Sequence, residues 1–308
     1  MTDKPEVGLR VPPCVSLGAL QDFAAAAEEA GVGALWFPDS QLLWRDSFAS
    51  LAAAALVTSR AALGTAVSNV ATRHVSVIAS AVRTVQELPP DRVRLGLGTG
   101  ASATGTVGLA PTTGAALEDA VGRLRSLLAG GSLVDAQGGC PIYIATAGPR
   151  TLARAARVAD GVILPPGLPD SDIARALELV RPAGLDVVLS VYAWATDDVA
   201  RDARLIKPLL AATVGPPAGI PPPDPYPDLP HARDWAAAVA ACSWISDEQA
   251  LTFVRRHCLF GSPADIHRGL EERQSRFGIR KFLLHGLMSY ELPYELVAAA
   301  ATAAHAPT

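Results

Sequence analysis

The feature that most constrains the fold of this chain is a regular alternation of strand-like and helix-like segments. Eight short apolar runs read as strands, and a segment with helical periodicity follows each of them. The predicted strands cover residues 7–11, 34–37, 61–67, 93–97, 142–145, 162–164, 187–193 and 281–285. Strands that alternate with helices form parallel sheets, and eight such units predict an α/β fold of the closed (β/α)8 TIM barrel type. The rival is an open doubly wound sheet, but its usual glycine fingerprint is absent after the first strand, which ends in Pro12-Pro13.

One proline-rich segment interrupts this alternation. Residues 215–230 read GPPAGIPPPDPYPDLP, which can be neither regular helix nor regular strand. We therefore predict a single barrel domain over 1–308 with an insertion at about 214–246, after the seventh strand and a helix over 199–212. The insertion could be a lid or pocket wall, or a plain surface loop or linker.

Composition excludes several classes of function. The net charge is −4 and no basic stripe is present, so nucleic acid is not expected as a partner. The four cysteines and six histidines show no metal-ligand spacing, so no metal site is expected. The first residues carry no apolar leader, and charge interrupts the alanine-rich runs well short of a membrane span. We expect a cytoplasmic protein that acts on a small molecule.

Polar residues and glycines collect where the predicted strands end, which is where barrel enzymes build their active sites. These candidate site residues are Asp39, Ser40 and Trp44 after the second strand; Val67, Ser68 and Asn69 after the third; Gly98, Thr99 and Gly100 after the fourth; Thr146, Ala147, Gly148 and Pro149 after the fifth; and Pro165-Pro166 after the sixth.

Each of these features also fits an ordinary structural role. The Gly98–Gly100 loop could bind a cofactor, or it could be an ordinary turn between two elements. A proline such as Pro149 suits the first turn of a helix, whose free N–H groups bind anions, although an ordinary turn fits as well. Asp39 is a helix cap or an acceptor for a cofactor, and Trp44 is a core residue or a platform for a ring system.

Four stretches in sequence carry a resemblance to a known family. They are WFPDSQLLWRD (36–46), the segment from LGTAVSNV to LGLGTG (63–100), PIYIATAGPRTLARAARVADGVI (141–163) and FGSPADI (260–266). The chain resembles the luciferase-like monooxygenase superfamily, and in particular its coenzyme F420-dependent branch. Within that branch it is similar to the methylenetetrahydromethanopterin reductases and the F420-dependent glucose-6-phosphate dehydrogenases.

The resemblance implies a (β/α)8 barrel that binds a deazaflavin across its carboxyl face. The phosphate side of the cofactor would meet Gly98–Gly100 and Ala147–Pro149. A non-prolyl cis peptide between Ala66 and Val67 would hold Val67 against the back of the ring. Asp39, Ser40 and Trp44 would be the catalytic residues, whereas Arg73 is more simply a surface or ion-pair residue.

Departures from the family bear on the reaction. Ser40 stands where the sugar phosphate dehydrogenases carry a histidine base, and Ala101 where they carry a glutamate. Arg10 lies in the region where the methanopterin reductases carry a glutamate. We therefore expect a reductase that delivers hydride from reduced F420 to an activated C=C or C=N bond. The alternatives are an FMN-dependent monooxygenase and a barrel that binds a cofactor without catalysis.

The substrate pocket is the part that the resemblance describes least. Trp194, Tyr226 and Trp235 are candidate apolar contacts for a substrate, although each could equally be packed in a core. The substrate, the direction of the reaction and the proton donor stay open. A homodimer through the alanine-rich faces of the early helices is also possible.

Overall fold

Eight parallel strands form the centre of the molecule. The computed structural model describes residues 4–88, 91–129, 139–215 and 229–301. The strands are β1 (Glu6–Arg10), β2 (Ala34–Phe37), β3 (Ala62–Thr65), β4 (Val93–Gly98), β5 (Ile142–Ala145), β6 (Gly161–Leu164), β7 (Asp186–Ala195) and β8 (Lys281–His285).

The sheet closes on itself, which confirms the predicted barrel. Each strand pairs in parallel with the next in the chain, and β8 pairs with both β7 and β1. At the closure Leu283 lies beside Ser190, and Leu284 beside Leu9. All the carboxyl ends of the strands therefore meet at one mouth.

A helix follows each strand and covers the outside of the barrel. These helices are Leu17–Glu29, Ser47–Ala55, Val75–Gln86, Gly114–Leu128, Pro149–Val158, Asp170–Val180, Pro263–Phe277 and Tyr294–Ala300. Several begin at side-chain caps, as at Asp46 and Ser262, where a side-chain oxygen accepts a bond from a free backbone N–H.

Two apolar layers account for most of the packing. The larger layer fills the space between strands and helices and includes Phe23, Leu35, Ile78 and Phe282. A smaller cluster fills the barrel itself, with Trp36 packed edge-on against Tyr143 at 5.9 Å between ring centroids. The barrel is thus a solid core, open to a ligand only at its mouth.

The chain makes a long excursion between β7 and the helix Pro263–Phe277. Its described elements are the helices Val199–Asp202, Lys207–Val214, Trp235–Ala241 and Asp247–His257, the 3-10 turns Ala203–Ile206 and Leu229–His231, and the strand Leu259–Gly261. These elements bury a separate apolar cluster that includes Leu209, Trp235 and Leu287. Residues 216–228 of the proline-rich segment lie outside the described residues.

Three predicted elements differ from the structure. The helix predicted over 199–212 is broken into two short helices and a 3-10 turn, and Pro208 stands in the first turn of the second helix because it has no N–H to donate. The sequence pattern also predicts a closing helix over 291–304, and in the structure this helix begins only at Tyr294, after Pro293. The strand predicted over 61–67 ends at Thr65, and a two-residue strand, Ser68–Asn69, follows the interruption.

No helix in the described parts of the chain is both long and apolar enough to span a bilayer. The same described residues bring no three histidine, cysteine or acidic side chains close enough to hold a metal ion.

Candidate active site

A cavity of about 370 Å³ opens at the carboxyl mouth of the barrel. Eight of the residues predicted from the strand ends line it: Asp39, Ser40, Trp44, Val67, Gly98, Thr99, Gly100 and Pro166. Ala66, which the resemblance adds, lines it as well. Its volume lies in the usual range for small-molecule sites. Closure of the sheet therefore brings the predicted residues of β2, β3 and β4 to one place.

Asp39 anchors the β2 side of the cavity through an ion pair. Arg73 donates from Nε to Oδ2 at 2.7 Å and from Nη2 to Oδ1 at 2.9 Å, and the Ser68 hydroxyl donates to Oδ2 at 2.6 Å. The same Arg73 bonds Asp46 at 2.6 Å. Although burial alone would lower the pKa of Arg73, these two carboxylates raise it above its ordinary value. The prediction that Arg73 is an ion-pair residue agrees with these contacts.

The β3 side supplies an apolar wall. The peptide bond between Ala66 and Val67 is cis, as the resemblance implies, and both residues line the cavity. The Val67 carbonyl accepts a bond from the Asp39 N–H at 3.3 Å, so this wall is tied to the end of β2. Ser68 and Asn69 are buried beneath the wall and are not among the lining residues.

Asn69 shapes the loop that follows β4 from below. Its Oδ1 accepts bonds from the backbone of Ala71 and Thr72, while Nδ2 is buried without a partner. Its Cβ lies 2.6 Å from the position that a Cβ of Gly100 would take, and Gly100 has φ +76°. A side chain at Gly100 is thus excluded by contact and by backbone conformation. Gly98 has a similar reason for being glycine, because its Cβ would lie 2.7 Å from Val67.

Trp44 is fixed in the cavity wall by polar and ring contacts. Its Nε1 donates to the Ser289 carbonyl at 2.7 Å, and its ring packs edge-to-face with His231 at 5.3 Å between centroids. The Arg10 guanidinium lies over the ring at 5.0 Å from the centroid. Trp44 joins the loops after β2 and β8, and with Ser40 it lines the cavity.

The predicted anion site after β5 lies outside the cavity lining. Thr146 Oγ1 accepts a bond from the Gly148 N–H at 3.1 Å, and the helix Pro149–Val158 begins there without a side-chain cap. Gly148 and Pro149 are exposed, and Thr146 and Ala147 are half-buried. Only Ala145 of this strand end borders the cavity. An exposed helix start with free N–H groups fits a phosphate outside the ring pocket.

Besides Tyr192, three titratable side chains that were not predicted line the cavity. Arg10 ends β1 and is only 8% exposed. His285 ends β8, and His231 comes from the 3-10 turn of the excursion. Arg10 and His285 each stand at the carboxyl end of a barrel strand, as the predicted residues do. His231 lies beside the proline-rich segment, and no local signal places it at the barrel mouth.

The two imidazoles have different surroundings. The Ser289 hydroxyl donates its proton to the Pro230 carbonyl at 2.7 Å. Its oxygen also lies 3.1 Å from His231 Nδ1. Because the hydroxyl has only one proton, it accepts this second bond, and His231 Nδ1 is the donor. His231 Nε2 then faces the Ser102 hydroxyl at 3.4 Å. Burial, with the charges of Arg10 and His231, lowers the pKa of His285 well below its ordinary value. His285 is therefore a neutral ring, and its Nδ1 is buried without a hydrogen-bond partner.

Two of the three candidate apolar contacts for a substrate do not line this cavity. Trp235 is buried in the excursion, with its Nε1 bonded to the Leu205 carbonyl at 3.1 Å, and it does not line the cavity. Trp194 borders a small neighbouring cleft. Tyr226 falls outside the described residues. Tyr192, Leu209 and Leu287 supply apolar surface in the cavity instead.

The comparison with known families agrees with this fold. Residues 3–280 match the family model described as luciferase-like monooxygenase. The chain belongs to the luciferase-like monooxygenase family.

Two named relatives share part of the sequence. A 5,10-methylenetetrahydromethanopterin reductase of Methanolobus tindarius is 28% identical over 223 residues, which cover 65% of this chain and 67% of that protein. An F420-dependent glucose-6-phosphate dehydrogenase of Nocardia farcinica is 36% identical over 178 residues. That match covers 48% of this chain and only 53% of the dehydrogenase.

The fold is also that of solved structures. The coenzyme F420-dependent tetrahydromethanopterin reductase from Methanopyrus kandleri superposes with a TM-score of 0.72, over 96% of this chain and 97% of that one. Its sequence identity is 19%, so this likeness bears on the fold alone.

Proposed function

We propose that this chain is a coenzyme F420-dependent oxidoreductase that works as a reductase on an activated C=C or C=N bond of a small organic substrate. The observation that carries the proposal is the cavity at the barrel mouth, lined by Asp39, Ser40, Trp44, Ala66 and Val67. The named relatives that depend on F420 support the choice of cofactor.

The surroundings of the cavity suit a flat ring with polar edges. Ala66 and Val67 form an apolar face, and Asp39 presents carboxylate oxygens at its border. Gly98 and Gly100 keep the wall after β4 free of side chains. The helix start at Gly148 and Pro149 offers free N–H groups to the phosphate side of the cofactor. When bound in its reduced form, F420 would supply a hydride, that is two electrons and one proton.

The protein must supply the second proton and hold the substrate. Among the described residues that line the cavity, Asp39 is the only carboxylate, and Arg73 neutralises it. It is therefore a poor base for the oxidation of an alcohol. His231 is better placed to move a proton, because Ser289 fixes its Nδ1–H and leaves Nε2 toward Ser102 in the cavity. In a reduction His231 would first take up a proton from solvent at Nε2 and then give it to one atom of the double bond, while the other atom receives the hydride.

Cofactor binding tests the proposal first. Titration of F420 with the purified chain should quench and shift deazaflavin fluorescence at micromolar concentrations, whereas FMN should not compete. Tight binding of FMN with none of F420 would overturn the cofactor assignment in favour of a flavin-dependent monooxygenase.

The reaction is tested by mixing reduced F420 with a panel of enones and imines under anaerobic conditions. Reduction of substrate with one equivalent of oxidised F420 is the expected result. A His231→Gln variant should keep the F420 affinity and lose about 10²–10⁴-fold in rate, which is the usual value of a general acid. Binding without turnover across the panel would indicate a barrel that binds its cofactor but does not catalyse.

A further inference from the structure

A buried arginine at the mouth of the barrel has no counter-charge among the residues that the structure describes. Arg10 is 8% exposed and lines the cavity, and its guanidinium lies over the Trp44 ring. Among the described residues no carboxylate forms an ion pair with it, and no side-chain hydrogen bond satisfies its donors. A guanidinium carries five N–H donors and stays charged at neutral pH. Leaving such a group buried and unpaired is costly unless a ligand completes the site.

Two acidic side chains beside Arg10 do not supply the missing charge. Glu291 and Glu295 border a cleft of about 10 Å³ that Arg10 also touches. An ion pair with Arg10 would lower the pKa of a glutamate. The pKa of Glu295 is instead raised to about 7, first by burial and then by the charge of Glu291. Glu295 therefore gains no pairing from Arg10.

Within the described parts of the chain, a second polar group on a cavity-lining residue lacks a hydrogen-bond partner. His285 Nδ1 is buried without a hydrogen bond, and the ring packs against Tyr192 at 5.1 Å between centroids. Because burial and neighbouring positive charge keep this imidazole neutral, it can donate or accept one bond without adding charge. A guanidinium and a neutral imidazole, both unsatisfied, thus border one space.

We propose that Arg10 binds a carboxylate of the substrate, so that the proposed reductase acts on small unsaturated or imino acids. The charge balance favours a carboxylate over a phosphate dianion. In the part of the chain that the structure describes, Arg10 is the only lysine or arginine that lines the cavity. One guanidinium matches one carboxylate in charge and in two-point geometry.

This assignment deepens the proposed function and rests on it for the hydride step. In that step the electron-poor carbon of the C=C or C=N bond would receive a hydride, which bound reduced F420 would supply. A proton adds to the neighbouring atom, and oxidised F420 and the saturated acid are the products. A free carboxylate activates a double bond only weakly, and pairing with Arg10 offsets its negative charge. Binding of the acid itself requires no turnover.

The test compares acids with neutral amides of the same shape. Crotonate, sorbate and cinnamate, each paired with its primary amide, are titrated into the full chain by calorimetry, with and without oxidised F420. We expect at least one acid to bind about 10–100-fold more tightly than its amide, as charge-assisted bidentate pairing provides. If no acid in the three pairs binds more tightly than its amide, the inference is overturned.

Variants then assign the preference to Arg10. Arg10→Met should abolish the preference for the acid, and Arg10→Lys, which keeps the charge but not the fork, should retain only part of it. Arg45→Met is the matched control, because Arg45 is exposed and does not line the cavity. An acid preference that survives Arg10→Met would contradict the assignment. Since wild-type discrimination is measured without any variant, poor folding of Arg10→Met does not remove the test.

Titration of F420 with the same preparations separates the two proposals. Discrimination between acid and amide without F420 binding would leave the acid site intact and remove the proposed function. F420 binding without discrimination between acid and amide would leave the proposed function intact and remove the acid site. Arg10→Met should change the affinity for F420 much less than the affinity for the acid.

Discussion

Single residues at the barrel mouth are held by contacts that the sequence does not show. Asp39 was predicted because it follows a strand, but its two alternatives, helix cap and cofactor acceptor, could not be separated by position. The structure makes Asp46 the cap of the following helix and leaves Asp39 in the cavity wall, paired with Arg73. A residue 34 positions away decides what Asp39 does.

Removal of the Arg73 side chain should damage the site and the fold together. Arg73→Met leaves the Asp39 carboxylate buried with only the Ser68 hydroxyl, so we expect a loss of about 2–4 kcal/mol in the free energy of unfolding. Denaturant titration measures the loss, and F420 fluorescence should show weaker binding. Asp46→Asn is the control, since it breaks only the exposed pair, keeps a good cap and should cost below about 1 kcal/mol. Equal losses in the two variants would contradict this view.

The thiols should differ in reactivity according to their burial. Cys14 is half-buried, whereas Cys140, Cys242 and Cys258 are buried. Burial also raises the pKa of all four thiols, that of Cys140 to about 12. Because the thiolate is the reactive form, the native protein should be alkylated slowly and at Cys14 first. Mass spectrometry of peptides after iodoacetamide treatment checks the order, and early labelling of Cys140 would contradict it.

At the scale of elements, strands were easier to predict than the excursion. The strands β2, β5 and β8 have the bounds that their apolar runs predict. Such strands are short, buried on both faces and bounded by glycine, proline or charge, so local sequence determines them. The helices between Val199 and His257 are short and pack mainly on one another. Their ends depend on that packing, which periodicity alone does not contain.

Glycines in the β4 element should respond to substitution by their contacts. Gly98→Ala places a methyl group 2.7 Å from the Val67 side chain and should displace the cavity wall, lowering F420 affinity about tenfold or more. Gly96→Ala meets the Thr65 carbonyl at 2.1 Å and should prevent correct folding. Gly105→Ala, with no atom within 4 Å of its Cβ, is the neutral control. Fluorescence titration and thermal melting distinguish the three variants. A Gly98→Ala protein with unchanged affinity for F420 would mean that Val67 does not contact the bound ring.

At the scale of the whole molecule, closure of the barrel creates what no segment contains. Arg10 and His285 are 275 positions apart, yet β1 and β8 are neighbours and both residues border one cavity. The rule that strand ends meet could have nominated both residues. Their lack of partners could not be foreseen, because it depends on every side chain that closure brings nearby. His231 enters from the excursion and required the structure.

Glu295 in the last helix should make the stability of the folded protein depend on pH. Glu295 lies near the start of this helix and is half-buried, and this burial raises its pKa from 4.5 to about 7. The folded protein therefore holds the proton more tightly than the unfolded chain does. This contribution to stability is complete below pH 4.5 and disappears as the pH rises through about 7. The penalty above that pH should be of the order of 1–3 kcal/mol.

Replacing Glu295 by glutamine isolates this effect from the other acids. Glu295→Gln has no proton to lose, so its free energy of unfolding should exceed that of the wild type increasingly between pH 4.5 and about 7. Urea titrations of both proteins at four or more pH values across this range give the difference directly. Glu291→Gln serves as the control: by removing a nearby negative charge it should lower the pKa of Glu295 and shrink the effect. The free energies of unfolding of wild type and Glu295→Gln could instead differ by an amount that stays constant with pH. That result would mean that Glu295 is ionised throughout this range and that water reaches it in the cleft beside Arg10.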